Sequence, residues 1–390
     1  MLRIIIYAFP MFVNLILGGM FFIVAILLSQ AHYSPLVITG AVYVWALVYC
    51  IASPIMGRIT TPANAARLIM FGGVGIGLGS LGFLLSQYVV IQFILIGIIG
   101  VSSAMYCTPF QVFMKAIEPD QNAGVVRSTA LYTASWSFGM ATGPLIFGLF
   151  DWHYGFILNS FLGFLMAASV WFIDSHHQKN PVRHRNTPPA SSEADYSRMP
   201  DLAWLGWIIA GCGTIAVCLV RTLIPYQGTL LDFSKAEIGI ILAVVSYVQG
   251  ITALCLLRGK YWMYRPVPIL LAGIAGALAL VLFGLGEIPA WFYIGAVLYG
   301  IFSGCCYFYL VFHSLVHPTR SSRYIAVNET LVGITSILGS IAGGLLSGIS
   351  GNASLTFLLA AGMFVLMALF SARAFQVSRK RILPAAAPRS

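Results

Sequence analysis

Of 390 residues, 59% are hydrophobic and only 8% are charged, with a formal net charge of +10. A soluble globule of this length has no interior large enough to hide so much apolar surface, so that class is excluded. The excess of positive charge does not mark a nucleic-acid binder either, because the basic residues cluster in the loops on one side of the apolar segments.

Met1-Leu2-Arg3 leads into an apolar run from Ile4 to about Leu28. The run is too long for the core of a signal peptide and lacks a small-residue cleavage site, so it is expected to remain as a first membrane helix. Further apolar segments fall near 35–56, 67–86, 89–114, 128–150 and 154–173, and after a polar stretch near 202–228, 236–257, 267–286, 290–312, 324–349 and 354–374. The run from 68 to 114 is split at Ser86-Gln87-Tyr88, since it is too long to cross a hydrocarbon core of ~30 Å once. The expectation is an all-α membrane protein of twelve spans. It divides into a six-helix bundle over 1–173, a cytoplasmic linker over 174–201, a second six-helix bundle over 202–376 and a basic tail over 377–390.

Nineteen of the 21 Lys and Arg fall on one side of these spans, and only Arg221 and Lys235 lie toward the other. The positive-inside rule then places both termini and the middle loop in the cytoplasm, in an inner or plasma membrane. The middle loop is rich in Pro, Ser and charge and reads as a flexible linker. Its His176, His177 and His184 lack the cysteines or ordered scaffold of a metal site, so no metal is expected. The seven cysteines all lie in apolar segments without CxxC spacing and read as small buried hydrophobes.

The stretch Gly139–Gly148, GMATGPLIFG, recurs 200 residues later, where Gly339, Gly343, Gly344 and Gly348 replace Gly139, Gly143, Pro144 and Gly148. The same offset pairs Gly100 with Gly300, Ser103 with Ser303, Gly73 with Gly273, Arg58 with Arg258 and Ser34 with Ser234. One register for so many pairs indicates two homologous halves. Small residues four apart let helix backbones approach closely in lipid, where no hydrophobic effect drives association. Pro144 removes a backbone donor and is expected to kink its helix.

Twelve spans as six plus six, a cytoplasmic middle loop and Gly-x-x-x-Gly-Pro in the fifth span together resemble the major facilitator superfamily over about Ile4 to Ala374. The resemblance implies two bundles rocking about a central site, with helices 1, 4, 7 and 10 lining the cavity. Between spans 2 and 3 many members carry Asp-Arg and a later Gly; here the stretch Ser53–Thr60 keeps Arg58, while Gly57 and Thr60 replace the others. The arginine that proton-driven drug antiporters of the family bear in helix 4 is absent, with Phe93 and Ile96 before the glycines. Ala130 stands where their fifth helix has an earlier glycine. Drug export by that route lacks its usual residues.

An ionisable group at membrane depth is a functional candidate by default, because its burial costs ~2.5–3.5 kcal/mol even on the gentler scale. Arg221 in the seventh span has no acidic neighbour one turn away, so its partner is another helix or a substrate, unless it snorkels to the surface. An isolated guanidinium in a partly dry cavity points to an anionic or strongly hydrogen-bonding solute. Glu329 in the eleventh span is the carboxylate placed well inside a helix, and is a candidate to couple transport to a proton or to pair with Arg323 or Arg127. Neutral candidates for substrate contact are Asn14, Tyr106, Gln111, Gln249, Tyr299 and Tyr307, for each of which ordinary packing is the alternative. Phe110 and His313 carry the same weight. Arg58, Gly139, Gly143, Pro144, Gly148, Gly339 and Gly343 are assigned to gating and helix packing.

The reading is a secondary transporter for a small organic solute working by alternating access, with protons as a candidate coupling partner, lipid as surroundings, no cofactor, and a monomeric state. A non-transporting sensor or assembly factor on the same fold is the second reading. An intramembrane enzyme is third, since no HExxH, GxSxG or pair of intramembrane carboxylates occurs, and no GxxxxGK loop would bring in ATP.

Overall fold

The computed structural model describes residues 2–61, 63–85, 88–117, 125–179, 201–258, 262, 265–315 and 321–382. Among them every regular element is helical: α1 (Leu2–Gln30), α2 (Pro35–Ile38), α3 (Gly40–Ile59), α4 (Ala65–Leu85), α5 (Val89–Ile117), α6 (Val125–Leu149), α7 (Trp152–Lys179), α8 (Ala203–Leu230), α9 (Lys235–Arg258), α10 (Pro266–Leu285), α11 (Pro289–Leu315), α12 (Ser321–Ser350) and α13 (Ser354–Ile382). Eleven are long and apolar enough to cross a bilayer. The expected split of the long third run holds, with α4 ending at Leu85 and α5 beginning at Val89.

The long helix outside those eleven is α6, which carries Thr129, Thr133, Ser137, Thr142 and Pro144 along its length. A helix can be this polar because its neighbours, not lipid, cover it. It packs on α1 and α9, and Thr129, Thr133 and Ser137 are all buried. At the other extreme, Ile51, Phe71, Leu85, Val90 and Leu366 stand exposed on outer faces, where a bilayer is their solvent. The centre is made by α1, α8 and α11, whose apolar stretches are 78, 72 and 72% buried.

Helix boundaries recur at the 200-residue spacing: α1 ends at Gln30 and α8 at Leu230, α4 at Leu85 and α10 at Leu285, and α5 and α11 begin at Val89 and Pro289. The turns after α1 and α8 repeat atom by atom. His32 and Asp232 both have φ of 57°, the non-glycine residues in the left-handed region among those described. In each turn the next residue's amide returns to the helix, Tyr33 N–H to Leu28 and Phe233 N–H to Gly228. Packing repeats as well. A Cβ on Gly100 would sit 3.2 Å from the Trp45 carbonyl oxygen, and one on Gly300 2.6 Å from that of Val245. Gly73 lies against Ala167 of α7 and Gly273 against Ala368 of α13.

Helix ends are closed by local chemistry. Prolines open α2, α10 and α11, where a missing N–H costs nothing. After α3 the Thr60 hydroxyl donates to the Met56 carbonyl at 2.6 Å, and the Asn64 amide donates to that of Ile59 at 2.8 Å. Arg58 is exposed at this end. At the opposite end, Asp151 accepts the His153 backbone N–H at 2.9 Å and lies 2.6 Å from its ring Nδ1. These bonds hold the Asp151 carboxyl below the ordinary carboxylate range. The free cysteines sit within helices, but only Cys218, Cys305 and Cys306 are buried as expected; Cys50, Cys107 and Cys212 are half-buried and Cys255 is exposed on an outer face, where an apolar side chain meets no water in a bilayer. The described residues hold no group of three metal-ligating side chains. His184 and most of the 174–201 stretch lie outside the described residues, as does the end of the basic tail.

Candidate functional site

Between the first and second halves of the chain lies a small cavity of about 20 Å³, room for about one water molecule, lined by Gly18, Phe21 and Phe22 of α1, Met140 and Pro144 of α6, Val217, Val220 and Arg221 of α8, Leu242, Val245, Ser246 and Gln249 of α9, and Tyr299 of α11. Its walls are apolar and its polar groups few, the composition of a small-molecule site. Three expected contact residues, Arg221, Gln249 and Tyr299, meet here with Pro144.

Each arrives for a local reason. Pro144 deprives the Met140 carbonyl of its helical partner, and α1 closes on that carbonyl at Gly18, where a Cβ would come within 2.9 Å of the oxygen. In α8, Pro225 does the same to the backbone carbonyl of Arg221, so the helix is weakened where its one cation sits. The Arg221 side chain is half-buried, and among the described residues no carboxylate or hydrogen-bond acceptor pairs with it. Tyr299 is fully buried, and its hydroxyl donates to the Gly213 carbonyl at 3.4 Å.

Gln249 is 2% exposed and satisfied at both ends of its amide. Its Nε2 donates to Ser137 Oγ on α6 at 2.7 Å, and its Oε1 accepts the hydroxyl of Ser303 on α11 at 2.6 Å. Ser137 passes its own proton to the Thr133 carbonyl at 2.5 Å.

The other candidates stand apart from this cavity. The Asn14 amide turns back along α1 to donate to the Pro10 carbonyl at 2.8 Å. Tyr106 is buried with Phe9 and Phe110, its hydroxyl without a hydrogen-bond partner among the described residues. Tyr307 lies 3.5 Å from the Thr214 hydroxyl and stacks edge-on against Trp136 of α6, their centroids 5.0 Å apart. The Gln111 side chain is outside the described set. His313 is buried near the helix ends where Asn328, Ser314 and Trp207 join: Trp207 Nε1 donates to Asn328 Oδ1 at 2.8 Å. Tyr324 closes that end by donating to Asp201.

Glu329 lies elsewhere on the seam. The Tyr49 hydroxyl of α3 approaches its carboxylate at 3.4 Å, with Cys107 and Tyr132 completing the surroundings. No described basic residue forms an ion pair with it, Arg127 included, while the Arg323 side chain is outside the described set. An aromatic path connects it to the cavity wall. Tyr49 stacks on Trp45 with centroids 4.9 Å apart, and Trp45 meets Phe21 edge-on at 5.5 Å.

The glycines assigned to packing divide by what they touch. A Cβ on Gly139 or Gly143 would collide with the backbone of α1, at Met11 and at Leu15 and Gly19. A Cβ on Gly339 would lie 2.8 Å from the Ile215 carbonyl oxygen of α8, one on Gly148 3.2 Å from the Gly239 Cα, and one on Gly343 would meet leucine side chains alone, Leu219 first. Gly348 faces open space.

The profile of the Major Facilitator Superfamily matches residues 4–317. Among solved structures, a POT family transporter in complex with a thioalcohol-conjugated peptide superposes with a TM-score of 0.72 at 13% identity, covering 97% of this chain and 96% of that one. The human organic anion transporter MFSD10 (TETRAN) superposes with a TM-score of 0.65 at 10% identity, covering 94% of this chain and 98% of that one. No curated protein matches the sequence. At such identities the superpositions speak for the fold alone, and with the profile spanning most of the length, the chain belongs to the major facilitator superfamily.

Proposed function

We propose that the protein is a secondary transporter that carries a small organic anion across the membrane by alternating access of the central cavity. The observation that carries this is Arg221, a half-buried guanidinium on an apolar cavity wall with no partner among the described residues. A charge left unpaired in a low-dielectric setting is costly, and a ligand carboxylate or sulfonate offers the planar pair of acceptors that a guanidinium matches. One solved neighbour, human MFSD10, is an organic anion transporter, a substrate class in line with this reading.

The two halves move against each other in this reading, with Glu329 as the coupling group. Support for two halves comes from the helix boundaries and glycine contacts that recur 200 residues apart. The termini are assigned to the cytoplasm from the basic residues at that end, among which Arg58, Arg67, Arg127, Arg258 and Arg265 lie in described segments.

Uptake into liposomes tests the anion reading. With a transported aromatic monocarboxylate, Arg221→Ala is expected to weaken apparent affinity roughly 10- to 100-fold, the worth of charged hydrogen bonds. Arg221→Lys is expected to lose nearly as much, because an ammonium lacks the planar fork. Unchanged affinity in both variants would assign Arg221 to the outer membrane surface instead.

A further inference from the structure

Five facts about Gln249 converge. It lines the cavity that holds Arg221. It is 2% exposed, so its amide has little access to bulk water. One end of that amide is tied within its own half of the chain, to Ser303 on α11, and the other crosses to Ser137 on α6. The backbone on either side leaves no slack: a Cβ on Gly304 would lie 2.7 Å from the Gln249 carbonyl oxygen, and one on Gly250 2.6 Å from the Phe138 ring. Finally, Gln249 stands 200 residues from Tyr49, the residue that reaches across to Glu329. Positions in register between the two halves thus both send a side-chain hydrogen bond to the opposite half.

An amide nitrogen has two N–H groups. Ser137 takes one, and among the described residues no other acceptor takes the second. Building on the anion reading above, we propose that Gln249 is a substrate-responsive latch: it offers one N–H to an organic monoanion on Arg221 and holds the two halves together with the other. The bond to Ser303 joins α9 to α11 and persists when the halves separate, keeping the amide aimed. The bond to Ser137 joins α9 to α6 and exists only while the halves are closed here. When it breaks, both N–H groups become available to the anion. The anion therefore binds more tightly to the separated state and, by linkage, favours it. A lone guanidinium beside an amide, with apolar walls elsewhere, selects a single negative charge on an apolar body. A dianion would leave one charge unpaired.

The test uses the full-length protein in lipid nanodiscs. Nitroxide labels replace exposed Ala63 and Arg265, with exposed Cys255 changed to serine, and pulsed dipolar spectroscopy reads the distance between the halves. Benzoate is the monoanion probe, benzyl alcohol its uncharged counterpart, and phthalate the dianion. Ser137→Ala is expected to shift the population roughly 3- to 10-fold toward the separated distance without ligand, the worth of one hydrogen bond. It should also tighten benzoate by a similar factor. Ser137→Thr keeps the hydroxyl and should restore the parent distribution, which separates a lost latch from a damaged helix. Gln249→Leu should shift the distance likewise but weaken benzoate. An unchanged distance distribution in Ser137→Ala would overturn the latch. So would benzoate binding in Ser137→Ala that is weaker than in the parent. Failure of the anion reading looks different: benzoate, phthalate and benzyl alcohol would then bind alike in the parent and in Arg221→Ala, while the distance measurement still decides the latch.

Discussion

The proposed transport rests on two ionisable side chains within the helices, and among the described residues neither has an oppositely charged partner. Arg221 faces an apolar cavity, and Glu329 faces a tyrosine hydroxyl at 3.4 Å. A phenol is a weak partner for a carboxylate, so gaining or losing a proton at Glu329 changes a contact between α3 and α12 rather than an ion pair. Glu329→Gln imitates the protonated group without the ability to change it. The variant is expected to exchange substrate between the two sides of a liposome at near parental rate, yet to build no gradient when a pH difference is imposed. Accumulation equal to the parent would make Glu329 a packing residue. Both residues were legible in the sequence because charge is rare within apolar helices. Their surroundings were not, since in a membrane protein an apolar residue can face lipid, core or cavity. Phe21, Met140 and Val217 line the cavity with nothing in their local sequence to set them apart from Leu85 or Phe71, which face outward. Asn14 shows the converse: a polar group inside a span that satisfies itself on its own helix.

Among the helices, α6 matters most because it touches α1 on one side and α9 on the other. Its contact with α1 is backbone against backbone, so Gly139→Ala and Gly143→Leu must displace a helix, a cost of about 1–3 kcal/mol or more. Gly343→Leu should be milder than Gly143→Leu, since the atom in its way is the end of a leucine side chain that can rotate. A Cβ at Gly348 or Gly362 would meet nothing within 4 Å, so Gly348→Leu and Gly362→Leu serve as controls. A peripheral glycine such as Gly75 looks tolerant from its sequence position alone, but its Cβ would run into Ser102 of α5, so it belongs with the sensitive set. Thermal stability and transport in this series check the ordering; equal loss at Gly143, Gly343 and Gly348 would remove the argument from contact chemistry. The small-xxx-small spacing revealed which helices approach closely. Which partner they approach follows from tertiary packing, which explains why equivalent positions 200 residues apart end up against different atoms.

For the whole molecule, the twelve predicted spans agree with the long helices to within a few residues at most ends, because apolar length and flanking polar turns are strong signals in a bilayer. The exception is one of degree: α6 ends in an apolar stretch but carries hydroxyl residues along its length and lies outside the eleven helices long and apolar enough to cross a bilayer. Orientation rests on charge sorting, and reporter fusions decide it. Fusions after Lys179 and at Ser390 are expected on the cytoplasmic side, and fusions after Tyr33 and Gly284 on the other. One reversed position would change the number of crossings.

The isolation of Glu329 has an electrical consequence. Among the described carboxylates it alone lies about two turns or more from both ends of its helix, so the proposed mechanism moves one proton per cycle. A monoanion travelling in the same direction as that proton carries no net charge. Transport should then be blind to membrane voltage, and a potassium diffusion potential set with valinomycin should leave the initial rate unchanged. Exchange of the anion against the proton would move two charges per turnover and make the rate steeply voltage-dependent. A current recorded across a supported membrane therefore reports the direction of coupling before the natural solute has been identified.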